Sequence, residues 1–464
     1  MSNTPTEKDG AIYDAKQLGM PKMLVLGLQH MFAMFGATIL VPILVNSYFH
    51  GEGLSIQVTL FFAGVGTLFF HICAKLKVPA FLGSSFAFLG GFATVAELDS
   101  GIFANMTYGE KLPYACGGIV VAGLLYLVLA LVIRLVGVKR VMRFLPPVVT
   151  GPIIICIGLS LAGSAINNAQ TNWFLALVAL IVIIVFNIWG KGMFKIIPIL
   201  MGVLISYAVA LAMQFAGMTN PDGSTIIDFT STASSAWVGF PDFILCKFNL
   251  TAVLVMAPIA IATMMEHIGD MSAISATVGE NFLEDPGLHR TLIGDGLATS
   301  LSAFFGGPAN TTYGENTGVL ELSRVFDPAV IRIAAVYAVV LSFVPKFASI
   351  IGSMPASIIG GVSFILYGMI SAIGIRNVVE NRVDLTNSRN LIIAAVILVC
   401  GLGFSSGLTF EIAGTSITLT SLAIASIAGV LLNAILPGND YEFGVNPEGD
   451  MNRGVTLKAR HRKD

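Results

Sequence analysis

Charge is what this chain has least of. Only 11% of its 464 residues are charged, against about 25% in soluble proteins. Uncharged runs such as Trp173 to Trp189, Ile196 to Phe215 and Leu391 to Phe404 recur along it. They approach the roughly 20 residues that cross about 30 Å of hydrocarbon. One soluble core could not hide so many, so the class is a polytopic membrane protein. Cysteine is sparse too: Cys73, Cys116, Cys156, Cys246 and Cys400 stand without C-x-x-C spacing, which argues against a zinc site or a disulfide framework. No G-x-x-x-x-G-K-[ST] loop is present to burn ATP, no H-E-x-x-H or G-x-S-x-G to hydrolyse a substrate, and no T-V-G-Y-G filter. The polar stretch Met1 to Gln17 lacks the basic and apolar regions of a cleavable signal. The first spanning helix is therefore expected to drive insertion. Net charge is −2, which says little about partners.

What is present is a rhythm of apolar runs between polar or Pro/Gly breaks, about fourteen in number. They begin near Met23, Ile56, Pro79, Pro113, Val141, Trp173, Phe194, Thr251, His289, Pro308, Ala329, Pro355, Leu391 and Ile417. The longest connection, Ala216 to Asn249, divides them into two sets of seven. With a cytoplasmic N-terminus, only Lys111, Lys247 and Lys346 of the 25 basic residues fall outside, leaving 22 inside. The positive-inside rule expects that asymmetry. Because seven is odd, the second set enters from the opposite side and the repeat is inverted.

The third and tenth segments are unlike the rest. Val78 to Gly91 is interrupted by proline, paired serines and glycines, and so is Gly306 to Gly318. Gly/Pro-broken segments at matching places in two halves point to a transporter's binding site. Weaker echoes accompany them. Gln29-His30 faces Glu266-His267, Ser85-Phe86 matches Thr312-Tyr313, and Pro146 and Gly151 lie 209 residues before Pro355 and Gly360.

Acidic residues inside the spans are few: Glu266, Asp270, Asp295, Glu315 and Glu321. An ionisable group at the bilayer centre costs roughly 3 kcal/mol on insertion scales. Each must line a wet cavity, find a partner or carry a proton. Glu266 and Asp270 are one helical turn apart on one face, and two carboxylates that close repel when both are charged, which suits reversible proton uptake. Glu315 falls in the broken tenth segment, where an interrupted helix leaves N–H groups unpaired. The plainer alternative is hydrogen bonding between helices, which weighs more for Asp270, Asp295 and Glu321 than for Glu266 and Glu315. His30 and His267, the histidines well inside spans, could relay protons or simply pack as hydrogen-bonded residues. His71 reads as interfacial. Phe86 and Tyr313 could stack on a planar ligand, although aromatics in helices more often only fill space.

The motifs then become specific. Gln29 to Thr38 (QHMFAMFGAT), Gly83 to Phe88 (GSSFAF), Glu266 to Gly269 (EHIG), Asp285 to Arg290 (DPGLHR) and Asn310 to Gly318 (NTTYGENTG) resemble the nucleobase/ascorbate transporter family. Its signature, an acidic or amide residue followed by N-x-G-x4-[ST]-[RKG], is met by Glu315-Asn316, Gly318 and Ser323-Arg324. The resemblance runs from about Pro21 to Pro437, and Glu315 is the residue of uracil-type members where purine-type members carry Gln. It implies an all-α polytopic fold of 14 transmembrane segments in two inverted 7-segment repeats, with short strands in segments 3 and 10. Cytoplasmic tails would occupy 1–20 and 438–464. A core domain would comprise 21–137 and 250–350, a gate domain 138–216 and 351–437, joined by an extracytoplasmic linker at 217–249. The family pattern carries ligand contact onto Phe86, Glu266, Tyr313, Gly314 and Glu315, while the residues themselves put proton coupling on Glu266, Asp270, Glu315 and His30. At one position the chain departs: the best-known uracil carriers have histidine where Asp270 stands.

The expected activity is proton-coupled uptake of a nucleobase, uracil first, by a carrier and not an enzyme, with no cofactor and no metal. A xanthine, urate or broader pyrimidine carrier is the alternative. Related folds that move anions need a cation in the site, and no Lys or Arg lies mid-segment in 3, 8 or 10. A channel would conduct without saturation. Expected partners are the base, a proton and membrane lipid, with no nucleic acid and with a homodimer as the assembly to test. The expected location is the bacterial cytoplasmic (inner) membrane.

Overall fold

The computed structural model describes residues 11–412, 415–438 and 441. Fourteen segments appear in the order read from the apolar rhythm. Segments 1 to 7 are Met20–Tyr48, Ile56–Cys73, the half-helix Leu89–Ala96, Tyr108–Val136, Pro147–Ser160 continued by Ala162–Ala169, Trp173–Trp189 and Pro198–Phe215. Segments 8 to 14 are Leu250–Met256 continued by Ala260–Val278, Leu288–Phe304, the half-helix Gly314–Ser323, Pro328–Ser342, Ala356–Glu380, Ser388–Gly403 and Ser421–Ile435. Among the described residues, seven helices are long and apolar enough to cross a membrane alone, and the pair Pro328–Ser342 and Pro345–Gly352, bent by 86°, would add an eighth. The others are shorter helices or half-helices led by strands, which is why the sequence shows more crossings than long helices.

Helix starts fall where side chains can receive orphaned N–H groups, a strict need where no water can. Ser55, Asn172, Asn249, Asp327, Asn387 and Thr420 each accept an amide from the helix they open. At Thr107 the cap is reciprocal: its hydroxyl accepts from Glu110 N at 3.4 Å, and the Glu110 carboxylate accepts from Thr107 N at 2.8 Å.

Segments 1, 2, 4, 9 and 11 pack chiefly on one another, whereas segments 5, 6, 7, 12, 13 and 14 form a second packed group. Short helices follow the fourth segment of each set, Val138–Met142 and Pro345–Gly352. Close approach explains several glycines. A Cβ at Gly64 would lie 2.4 Å from Ala335 O, and one at Gly123 would lie 2.5 Å from Gly296 O.

Two expectations needed correction, and one connection gained detail. The stretch near Ile417 begins as strand, because Leu408–Ile412 and Thr415–Leu419 pair antiparallel before the last helix opens at Ser421. The connection 217–249 is docked on the ends of the helices: Ile244 N donates to Phe305 O, Cys246 N to Phe304 O and Lys247 N to Pro113 O. His71, read as interfacial, is fully buried, its Nε2 2.8 Å from Ala80 O where the chain folds back after Lys77. The C-terminal tail lies outside the described residues apart from Gly438 and Tyr441.

Candidate functional site

The broken segments meet as two three-residue strands. β1 (Leu82–Ser84) runs antiparallel to β2 (Asn310–Thr312), pairing Leu82 with Thr312, Gly83 with Thr311 and Ser84 with Asn310. Two strands leave outer edges that hydrocarbon cannot hydrate. Each repeat solves this with a threonine. Thr67 Oγ1, in segment 2, accepts from Leu82 N at 2.9 Å and lies 3.2 Å from Leu82 O. Thr299 Oγ1, in segment 9, accepts from Asn310 N at 3.1 Å and donates to Asn310 O at 3.0 Å. The two anchors serve the first residue of each strand, in equivalent helices of the two repeats.

Beyond the strands, Phe88 precedes one half-helix and Tyr313 caps the other. Between these elements and segment 8 lies a cavity of about 580 Å³ lined by Phe86, Glu266, Asp270, Tyr313, Gly314 and Glu315, among others. Its mouth is at the end of the molecule that carries Ala11, Arg324, Arg376 and Asn381. The volume falls within the roughly 300–1,000 Å³ of small-molecule sites.

Each residue sits differently. Glu266 projects from segment 8, and its Oε2 is buried with no hydrogen-bond partner, the condition of an acceptor held for a ligand or for a proton of its own. Asp270, one turn on, is engaged: Thr312 Oγ1 donates to its Oδ2 at 2.6 Å. Glu315 lies in the first turn of Gly314–Ser323, where leading N–H groups lack intrahelical partners. Phe86 is only 6% exposed and meets Tyr367 of segment 12 edge-on at 5.9 Å. Tyr313 is anchored: its hydroxyl donates to Ser84 O at 3.0 Å and accepts from Thr38 Oγ1 at 3.3 Å. Its ring covers Gly83, where any Cβ would come within 2.3 Å of it.

The histidines diverge. His30 does not line this cavity. Asn316 Nδ2, from the half-helix, donates to His30 O at 3.0 Å and lies 3.2 Å from His30 Nδ1. His267, its echo in the second repeat, turns away from segment 10. Its Nδ1 is 2.8 Å from Asp295 Oδ2, with both side chains 0% exposed, and its Nε2 is 3.0 Å from Thr291 Oγ1. The Thr67 and Thr299 anchors, the Asn316 bond to His30 and the His267–Asp295 pairing were not foreseen. The equivalent positions of Thr67 and Thr299 in segments 2 and 9 are the signal that could have found the anchors. Glu321 is exposed near the cavity mouth.

With this geometry in place, comparison with known proteins is informative. A family model described as "Permease family" matches residues 21–410. The chain belongs to this permease family. It is 42% identical to the uracil permease of Bacillus caldolyticus over 430 residues, covering 89% of this chain and 92% of that protein. It is 39% identical to the uracil permease of Bacillus subtilis (strain 168), covering 88% and 91%, and 37% identical to that of Escherichia coli (strain K12), covering 88% and 90%. The permease also superposes on the transmembrane domain of the cyanobacterial bicarbonate transporter BicA with a TM-score of 0.61 at 13% identity, covering 90% of this chain and 99% of that one. Murine Slc26a9, an anion transporter in its inward-facing state, gives 0.61 at 10% identity, covering 93% and 73%. At that identity the likeness is one of fold: two inverted repeats of seven segments, in an integral membrane transporter.

Proposed function

We propose that this permease takes up uracil together with a proton across the bacterial cytoplasmic membrane, with both termini inside. The observation that carries the reading is one cavity at a strand-paired break that gathers Glu266, Glu315 and Phe86 from both repeats. Uracil is flat, small and neutral at pH 7, with N–H donors and carbonyl acceptors along its edges. The carboxylates of Glu266 and Glu315 receive the N–H groups, and backbone N–H groups beside Gly314 and Phe86 meet the carbonyls. Phe86 lies against the ring, with Tyr313 acting as much through its fixed position over Gly83 as through its face. A site built on such bonds rejects analogues that leave its buried groups unpaired.

The proton is taken by Glu266, with Asp270, Glu315 and His30 completing the coupling. Asp270 can accept a proton, but unlike a histidine it cannot offer a cationic donor to a carbonyl. Residues 21–137 and 250–350 form a core that carries the site past a gate of 138–216 and 351–437, the division that the two packing groups of helices support. A homodimer gives the gate a fixed frame. The mouth beside Ala11 and Arg324, on the side of the N-terminal tail, corresponds to a site open to the cytoplasm.

The test is uptake of labelled uracil into proteoliposomes under an imposed pH gradient, competed by other bases. Saturable accumulation that collapses with the gradient is expected. Stronger competition by xanthine or urate than by uracil would assign a different cargo, and flux without accumulation would assign a channel.

A further inference from the structure

A second cavity of about 270 Å³, sharing no lining residue with the first, lies where the ends of segments 2, 4 and 9 converge. Cys73, Arg134, His289, Arg290 and Ile293 line it. Arg134, His289 and Arg290 share its wall, so two guanidinium groups flank one imidazole. One nearby acid, Asp285, is engaged elsewhere, its Oδ2 2.6 Å from Lys77 Nζ. Arg290 reaches the last carbonyls of segment 2, with Nη1 3.5 Å from Cys73 O. Arg134 is exposed, and among the described residues no hydrogen bond or ion pair engages it.

What adjoins this cavity is apolar. On segment 4, Leu124, Val128, Leu131 and Leu135 are all exposed, Leu135 by 75%. Their spacing of three to four residues sets them in one stripe that ends beside Arg134. Ile72, 68% exposed, and Leu76 flank the cavity on the segment 2 side. Cations at the end of a long bare apolar stripe match a ligand with an anionic head and hydrocarbon tails. Basic pockets between transmembrane helices bind phospholipid headgroups by this chemistry.

We propose that the Arg134–His289–Arg290 cavity holds the phosphate headgroup of an anionic phospholipid whose acyl chains lie along the outer face of segment 4. The guanidinium of Arg134 supplies the free charge, that of Arg290 a fixed second contact, and His289 a neutral or cationic donor. The lipid is thereby bound to the helices that also hold the Thr67 and Thr299 anchors.

Full-length protein in detergent tests this by native mass spectrometry with phosphatidylglycerol, phosphatidylcholine of the same chains, and soluble glycerol 1-phosphate. Phosphatidylglycerol adducts should exceed phosphatidylcholine adducts. That excess should fall about fivefold for each cation removed, in Arg134→Gln and further in Arg134→Gln/Arg290→Gln. The control Lys139→Gln/Arg140→Gln, which removes nearby exposed cations outside the cavity, should keep it. Arg134→Gln alters an unengaged surface side chain, so a folded, monodisperse sample is expected and the comparison stands even if the double variant misfolds. An unchanged excess in Arg134→Gln overturns the proposal. So does an equal loss in the Lys139/Arg140 control, which would mean diffuse charge, or full displacement by glycerol 1-phosphate, which would mean a free-phosphate site.

Discussion

At the scale of single residues, Glu266 and Asp270 are held differently although they stand one turn apart. Glu266 has a buried oxygen without a partner among the described residues, whereas Asp270 is held by Thr312 of β2. In the proposed cycle, Glu266 exchanges a proton for a ligand hydrogen bond. Glu266→Gln keeps the shape and an acceptor oxygen but removes that exchange. It is expected to abolish uracil accumulation driven by a pH gradient while leaving uracil counterflow measurable. Accumulation at the wild-type level in Glu266→Gln proteoliposomes would remove the role assigned here. The carboxylates were legible in the sequence because charge inside an apolar run is costly and therefore conspicuous. Their partners were not. Thr312 is one of several hydroxyls near the break, and nothing in its spacing distinguishes it as the donor to Asp270. The pairing of His267 with Asp295 brings together residues 28 apart on two helices, a contact fixed by helix packing, which no local pattern records.

At the scale of elements, the broken segments carry the design. Their Pro/Gly interruptions marked them as unusual from the sequence alone. A three-residue strand has too little periodicity to announce itself, so the register of β1 against β2 had to come from the structure. The threonine anchors explain why so short a pair persists in hydrocarbon. Replacing Thr67 or Thr299 by valine keeps the volume but leaves a buried strand amide unpaired, at a cost of about 1–3 kcal/mol. Each variant is expected to lower the apparent melting temperature in detergent and to weaken uracil binding, with Thr299→Val acting on the Glu315 side of the break. Unaltered melting and affinity in both would show that the strand edges are satisfied some other way. The connection 217–249 illustrates the opposite limit of sequence reading. Its polarity marks it as outside the bilayer, but its docking rests on backbone bonds to Pro113, Phe304 and Phe305, which any sequence can make.

At the scale of the whole molecule, the seven-plus-seven plan was readable from two independent signals, the count of apolar runs and the sidedness of Lys and Arg. Movement of core against gate is a proposal that segment 1 makes testable. A Cβ at Gly36 would come within 2.5 Å of Ile199 Cγ2 in segment 7, so two cysteines there lie within reach of a disulfide. In a background with the native cysteines replaced, oxidised Gly36→Cys/Ile199→Cys is expected to bind uracil yet fail to transport it, with transport restored by reductant. Transport undiminished in the oxidised protein would mean that these segments do not slide past one another.

The pairing of β1 with β2 has a consequence for how such a chain can change over generations. Every backbone hydrogen bond between β1 and β2 joins one repeat to the other, so a displacement of either strand is felt by both. On the proposed site, a shift of cargo would come from side chains off the seam, such as those at 86, 266 and 315, since the seam itself is built from backbone groups.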